Sequence, residues 1–93
     1  MVELIIISND LNDEKKVLES GKVDGFYFSF IDSNSKLTRK NAYTIKTDWG
    51  AKKEPFALVK IKDKVLRCFY AEQTKNVVDE ALDFVKSLQE TYD

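Results

Sequence analysis

The first apolar run along the chain covers residues 2–8 (VELIIIS), where nearly every position is apolar. In an extended conformation successive side chains point to opposite faces. Val2, Leu4 and Ile6 would therefore face one way, and Ile5 and Ile7 the other. Apolar residues on both faces are typical of an interior strand that is covered on both sides.

Three further short runs have the composition of strands. Residues 25–32 (GFYFSFID) are rich in aromatics, and residues 55–61 and 64–72 flank a lysine-rich turn. The two later runs predict an antiparallel hairpin, although their turn contains no glycine. We expect the phenylalanines of these strands and of the last segment to lie in the core: Phe26, Phe28, Phe30, Phe56, Phe69 and Phe84.

Residues 74–92 give the clearest helical pattern. Apolar residues recur there with a spacing near 3.6, and charged residues lie between them. Thr74 or Asn76 can cap the start of this helix. The apolar face predicted to pack on the sheet consists of Val77, Val78, Ala81, Leu82, Val85 and Leu88.

A second helix is predicted within residues 9–21. An Asn-Asp pair can cap its start, acids fill its first turn, and Gly21 can end it. Leu11, Lys15 and Leu18 share one face, which gives only a narrow apolar stripe. We therefore expect a partly exposed helix that joins the first two strands as a parallel pair.

The middle of the chain, residues 33–54, has the weakest pattern. Residues 33–43 could form a short capped helix, 43–47 a short strand or extended loop, and 49–54 a loop. A loop of this length without regular structure is uncommon in a compact domain. Some regular structure or a binding role is therefore expected here.

The resulting order, β-α-β-(α)-β-β-α around a central mixed sheet, resembles the thioredoxin-like fold. In that family a cis-proline opens the first hairpin strand, and Pro55 stands at the matching place in KEPFALVKIKDKVLRCFYAE. The resemblance implies a single α/β domain over residues 1–93. The chain departs from the family in three ways. The stretch SNDLN at the first helix lacks the Cys-x-x-Cys pair, the link to Pro55 is longer, and Glu54 replaces a small or β-branched residue.

Composition narrows the possible functions. The chain has 93 residues, 43% of them apolar and 33% charged, with a net charge of −1. There is no histidine and one cysteine, which removes dithiol chemistry and the usual general base and metal ligand. No Gly-rich phosphate loop, leader or membrane-length apolar run is recognisable. We expect a protein without a cofactor that is not an enzyme and does not bind membranes. It would work in the cytoplasm, or within a virus particle if the source is viral.

Two groups of residues suggest chemistry but also have simpler explanations. Cys68 lies in the middle of a strand, and Arg67 beside it would point to the opposite face, so a small core residue is expected rather than a reactive thiolate. Asp10, Asp13 and Glu14 crowd one helix start, where the helix dipole alone favours acids, and their spacing matches no EF-hand. We therefore predict no metal site.

The middle segment is basic and contains two aromatic residues. Six bases against one acid give residues 36–53 a net charge of +5, with Tyr43 and Trp49 among them. Aromatic residues among bases can bind single-stranded nucleic acid or an acidic protein. Alternatively, both rings could fold back onto the core. No RNA-recognition, KH or zinc signature supports the nucleic-acid hypothesis.

The leading hypothesis is a non-catalytic thioredoxin-like interaction module, either an adaptor or a small structural subunit of a larger assembly such as a virion. Its partner would be another protein or another copy of itself. One alternative is a nucleic-acid-binding protein that uses residues 36–53. Another is a monothiol redox or glutathione-binding protein that uses Cys68. Because the family binds peptides beside the residue before the cis-proline, the resemblance implies a peptide-binding site at the Glu54–Pro55 backbone. The basic aromatic segment leads directly into this place, so we predict a protein-binding site at Tyr43, Trp49, Lys52, Lys53, Glu54 and Pro55.

Overall fold

A computed structural model describes residues 2–20 and 25–92, with the side chains of the last helix described as far as Leu88. Gly21, the predicted helix stop, lies outside the described residues. Seven elements follow one another: β1 (Val2–Ser8), α1 (Leu11–Glu19), β2 (Phe26–Asp32), α2 (Arg39–Asp48), β3 (Phe56–Ile61), β4 (Lys64–Tyr70) and α3 (Val77–Tyr92).

The four strands form one mixed sheet in the order β2-β1-β3-β4. β1 runs parallel to β2 and antiparallel to β3, and β3 runs antiparallel to β4. Leu4 lies opposite Phe28 on one side and Val59 on the other. The predicted small α/β domain with a mixed sheet, a parallel βαβ unit and a hairpin is therefore confirmed.

One face of the sheet is covered by α1 and α3. Val2, Leu4 and Ile6 of β1 pack there with the apolar face of α3, and the phenylalanines of β2 border the same cluster. All the α3 residues predicted to face the core are buried or packed against this cluster. The periodicity of the last segment therefore predicted the helix and its orientation correctly.

The opposite face is covered by α2 and the segment after it. Ile5 and Ile7 pack there with Ala42 of α2, Ala51, and Phe56 of β3. This cluster is smaller, and Cys68 and Tyr70 at the β4 edge are only partly buried in it. Among the predicted core phenylalanines, Phe56 and Phe69 are fully buried and the other four are half-buried.

The apolar stripe predicted for α1 does not face the core. Leu11 and Leu18 are 67% and 73% exposed, whereas Val17 is buried. The hydroxyl of buried Ser8 donates to the Asp13 carboxylate at 2.6 Å, which turns this side of the helix start toward β1. Val17 follows one turn later on the same side, so both leucines point outward.

The middle segment contains one helix, and the prediction of a strand or loop at residues 43–47 is wrong. The residues Tyr-Thr-Ile-Lys-Thr belong to α2. Ala42 and Ile45 pack on the sheet at a spacing of three, as on one face of a helix. Their burial outweighs the strand preference of the β-branched and aromatic residues in this segment.

Candidate functional site

Tyr43 projects from the outer side of α2. Since Ala42 and Ile45 of the same helix face the sheet, Tyr43 is directed to solvent and is 68% exposed. An exposed tyrosine presents an apolar ring and a hydroxyl together, a combination common at protein interfaces. Tyr43 is thus available to a partner.

Trp49 follows α2 directly and is 41% exposed. Its backbone carbonyl accepts a hydrogen bond of 2.6 Å from the Tyr70 hydroxyl of β4. This bond fixes the position of the Trp49 backbone while the indole remains partly in solvent. The alternative in which Tyr43 and Trp49 fold into the core is therefore wrong.

Two shallow depressions lie beside Tyr43 and meet at Tyr43 and Lys46. One, of about 390 Å³, is also lined by Ser33, Arg39, Lys40, Ala42 and Glu54. The other, of about 420 Å³, is also lined by Thr47, Gly50, Ala51 and Lys52. Three of the predicted site residues therefore line these depressions: Tyr43, Lys52 and Glu54.

Lys46 and Glu54 form an ion pair between the two depressions. The Lys46 Nζ lies 2.7 Å from the Glu54 Oε2, and both side chains are less than one fifth exposed. Glu54 also accepts a hydrogen bond from the Ser33 hydroxyl. The charge of Lys46 is therefore neutralised by an acid outside residues 36–53. Both oxygens of the Glu54 carboxylate already have partners, Lys46 and Ser33.

The Glu54–Pro55 peptide bond is cis. Within the part of the chain that the structure describes, no backbone–backbone hydrogen bond of the turns and loops involves either residue. The preceding Lys53 N–H donates at 2.9 Å to the carboxylate of Glu72. The lysine that was predicted as a partner contact thus lies beside an acid of its own chain.

The start of α2 carries positive charge without compensation from its own first turn. Arg39 and Lys40 lie in that turn, which has no acid, and Thr38 makes no side-chain cap. The Thr38 hydroxyl instead donates to the carbonyl of Asp32. Because a helix N-terminus carries partial positive charge, bases at this position add to the local positive potential.

Four of the residues described above, Arg39, Lys40, Tyr43 and Lys52, line the two depressions on the α2 side of the molecule, and Trp49 and Lys53 each adjoin a lining residue along the chain. We call this set of residues the aromatic–basic surface, and it consists of Arg39, Lys40, Tyr43, Trp49, Lys52 and Lys53. With Lys46 paired, the other five bases of residues 36–53 stand against Asp48 of the same segment and Glu72, whose carboxylate lies beside Lys53. Such a surface can contact apolar and anionic groups at the same time.

The other predicted features have structural roles. Burial raises the pKa of the half-buried Cys68 thiol, and a hydrogen bond with Tyr70 lowers it by less. The Arg67 guanidinium lies over the rings of Phe69 and Phe84, at 4.7 and 5.4 Å, on the opposite face from Cys68. The monothiol hypothesis therefore loses the cation that would stabilise a thiolate.

The carboxylates at the start of α1 also have local partners. Asp10 accepts from the Asn12 N–H at 2.9 Å as the N-cap, and Asp13 accepts from Ser8. Among residues 2–20 and 25–92, no cluster of three acidic or cysteine side chains could bind a metal ion. No helix in these ranges is both long and apolar enough to cross a membrane.

The comparisons with known proteins identify no relative. No family model, no curated protein and no solved structure matches the chain.

Sequence reasoning missed two residues that shape this surface, Ser33 and Tyr70. Ser33 lies in the turn after β2, six residues before Arg39, and Tyr70 ends β4, 17 residues after Lys53. A tyrosine at the end of an edge strand was the one available signal, because its hydroxyl requires a partner when the ring is buried.

Proposed function

We propose that this chain is a non-catalytic, thioredoxin-like protein-interaction module that acts as an adaptor or as a structural subunit of an assembly. The order β-α-β-α-β-β-α and the strand order β2-β1-β3-β4 support the thioredoxin-like assignment. The position of Pro55, between α2 and the start of the hairpin, agrees with it. The stretch from Ser8 to Asn12 at the start of α1 contains no cysteine.

The exposure of Tyr43 and Trp49 on one basic surface is the observation that carries the proposal. Tyrosine and tryptophan are enriched among the residues that dominate binding energy at protein interfaces. Here both extend from well-packed backbone, because Ala42, next to Tyr43, and Ala51, two residues after Trp49, are buried. The ordering of this surface is therefore largely complete before a partner arrives, which lowers the entropic cost of binding.

The charges define the class of partner. Arg39, Lys40 and Lys52 line the same depressions as Tyr43 and are exposed. Positive charge at the rim of an interface accelerates association with an acidic protein and disfavours basic ones. The proposed partner therefore presents an apolar group flanked by carboxylates.

The test is affinity capture from an extract of the native source, with matched variants as bait. The wild type should retain a specific protein that Tyr43→Gln/Trp49→Gln releases. Tyr27→Gln serves as the control, because Tyr27 is comparably exposed (59%) but lies on β2. Circular dichroism should show that all three baits are folded. Equal retention by all three, or no specific retention by the wild type, would overturn the proposed surface.

The nucleic-acid alternative uses the same aromatic and basic residues, and one titration distinguishes it from protein binding. Trp49 is the only tryptophan, so its fluorescence reports directly on the surface. Stacking of a base on the indole would quench it, and the affinity would fall steeply with salt. Under the proposed function an oligothymidylate leaves the fluorescence unchanged at about 150 mM salt. Saturable quenching would instead favour nucleic-acid binding.

A further inference from the structure

Helix α1 carries an apolar stripe that no described part of the chain covers. Leu11 and Leu18 are 67% and 73% exposed, and they lie two turns apart on the same side of the helix, with Lys15 between them. Single exposed leucines are ordinary. Two aligned leucines on one nine-residue helix form a small docking site for an apolar group.

The helical layer that contains this stripe is acidic. Up to Leu88, α1 and α3 contain six acids against three bases, a net charge of −3. Two of the bases already lie in ion pairs within the layer: Lys15 with Glu19 at 3.9 Å, and Lys16 with Asp79 at 3.2 Å. No such pair involves Glu14, Glu80 or Asp83 in the part of the chain described.

The two surfaces are complementary and lie on opposite sides of the sheet. The α1 side presents two exposed leucines, with Lys15 between them, on a helical layer of net charge −3, and the aromatic–basic surface presents exposed rings among bases. Each surface thus has the chemistry that the other would recognise: an apolar group flanked by charges of opposite sign.

We propose that the partner is a second copy of this chain, with the Leu11–Leu18 stripe of one copy docked on the aromatic–basic surface of the next. This inference rests on the proposed function, and it names the partner of the same surface. The contact joins two different patches, so it is heterologous and leaves one free patch of each kind at the ends of a dimer. Because the patches are on opposite sides of the sheet, further copies can add at either end, and a linear assembly of copies grows.

A contact made by one short helix buries little area, so each contact is weak. Association should therefore rise with protein concentration and should weaken as added salt screens the opposite charges. Sedimentation equilibrium between about 20 μM and about 1 mM covers the range expected for such contacts.

The decisive experiment uses two variants that each lack one patch. Leu11→Gln/Leu18→Gln removes the stripe, and Tyr43→Gln/Trp49→Gln removes the rings. Each variant alone should associate at least about tenfold more weakly than the wild type. Mixed in equal amounts, they should form a heterodimer that grows no further, because the first retains the rings and the second retains the stripe.

Tyr27→Gln should associate like the wild type and serves as the matched control. A wild type that remains monomeric up to about 1 mM, an equimolar mixture of the two variants that remains monomeric, or variants that associate as the wild type does would each overturn the inference. Formation of the heterodimer also shows that both variants are folded.

Failure of this inference is distinguishable from failure of the proposed function. A monomeric wild type that still captures a different protein through Tyr43 and Trp49 would overturn self-association alone. Loss of both self-association and capture would overturn the aromatic–basic surface as a binding site.

Discussion

Cys68 and Tyr70 lie on the same face of β4, and each affects the ionisation of the other. Burial raises the pKa of the Cys68 thiol. Burial also raises the pKa of Tyr70, and the neighbouring Cys68 adds to the shift. Both groups are neutral near pH 7. Neither therefore places a charge at the β4 edge of the sheet face that α2 covers.

Cys68 should therefore react slowly and should make the fold less stable at alkaline pH. An unfolded thiol ionises near pH 8.5. Below that pH the thiol stays protonated in both the folded and the unfolded state, so its ionisation does not change the free energy of unfolding. Above it the unfolded chain loses the proton first, so the free energy of unfolding falls as pH rises toward the raised pKa of the folded state. The measurement is urea unfolding of wild type and Cys68→Ala between about pH 7 and pH 10.

The variant should lose less stability over this interval than the wild type. Ellman's reagent at about pH 7.5 should label native Cys68 at least about tenfold more slowly than the unfolded chain. Equally fast labelling of both would contradict a partly buried, neutral thiol.

A second prediction concerns the contribution of the Lys46–Glu54 ion pair to stability. Both side chains are less than one fifth exposed, so Lys46→Met leaves the Glu54 carboxylate largely buried with only Ser33 as a partner. We expect a loss of about 1–3 kcal/mol in the free energy of unfolding. Lys46→Met/Glu54→Gln should recover part of it, because no unpaired charge remains. A double variant less stable than the single one, by urea unfolding, would contradict this.

At the scale of elements, α1 and α3 cover the same face of the sheet but contribute differently to it. α3 buries a broad apolar face, whereas α1 buries only Val17 among its nine residues. Most of the helical contribution to the larger core cluster is therefore made by α3, and α1 is left with a largely exposed surface.

Two leucines provide a matched test of this difference. Leu82 of α3 is 8% exposed and Leu18 of α1 is 73% exposed. Leu82→Ala should destabilise the protein by about 2–5 kcal/mol, because it leaves a cavity in the core. Leu18→Ala should change the free energy of unfolding by less than about 0.5 kcal/mol. Urea unfolding of both variants at a concentration where the wild type is monomeric gives the comparison, and similar losses would refute the assignment of faces.

The turn between β3 and β4 contains one residue in an unfavourable backbone conformation. Lys62 has φ 53, in the left-handed region that side chains with a Cβ disfavour. A glycine adopts this conformation without that penalty but loses more entropy on folding. Lys62→Gly should therefore stabilise the protein by about 0.5–1 kcal/mol. Asp63→Gly, at a position without positive φ, is the control and should not stabilise; the thermal unfolding midpoints of the two variants decide the matter.

At the scale of the whole molecule, the two core clusters share one sheet. Alternate residues of β1 and β3 enter different clusters: Leu4 and Val59 contribute to one, and Ile5 and Leu58 to the other. Because β1 and β3 contribute to both clusters, unfolding of these strands disrupts both clusters together. Chains of this size usually unfold in one cooperative step, and the shared strands give a specific reason for it here.

Unfolding should therefore be a single transition by two probes. Fluorescence of Trp49 reports the α2 side of the sheet, and far-ultraviolet circular dichroism is dominated by the helices, of which α3 is the longest. The two urea midpoints should coincide. An earlier fluorescence transition would show that α2 and the aromatic–basic surface unfold separately from the rest.

The sequence by itself determined the strands, the hairpin and the last helix. Hydrophobic periodicity specifies which residues must leave water, and it is unambiguous where many apolar residues repeat, as in β1 and α3. It also predicted that Arg67 and Cys68 point to opposite faces. Its prediction for residues 43–47 was wrong because residues with strand preference can be helical when Ala42 and Ile45 find a sheet to pack on.

Only the tertiary structure decided which side of α1 faces the core and which bases remain free. The Ser8–Asp13 hydrogen bond orients α1, and Glu54 neutralises Lys46. The Tyr70 hydroxyl fixes the backbone of Trp49 from a strand 21 residues away. Each of these contacts depends on where an element docks, and a local pattern contains no information about docking. The physical reason is that a hydrogen bond or a close ion pair forms only when its two groups come within about 3–4 Å, so the partners are set by the folded geometry.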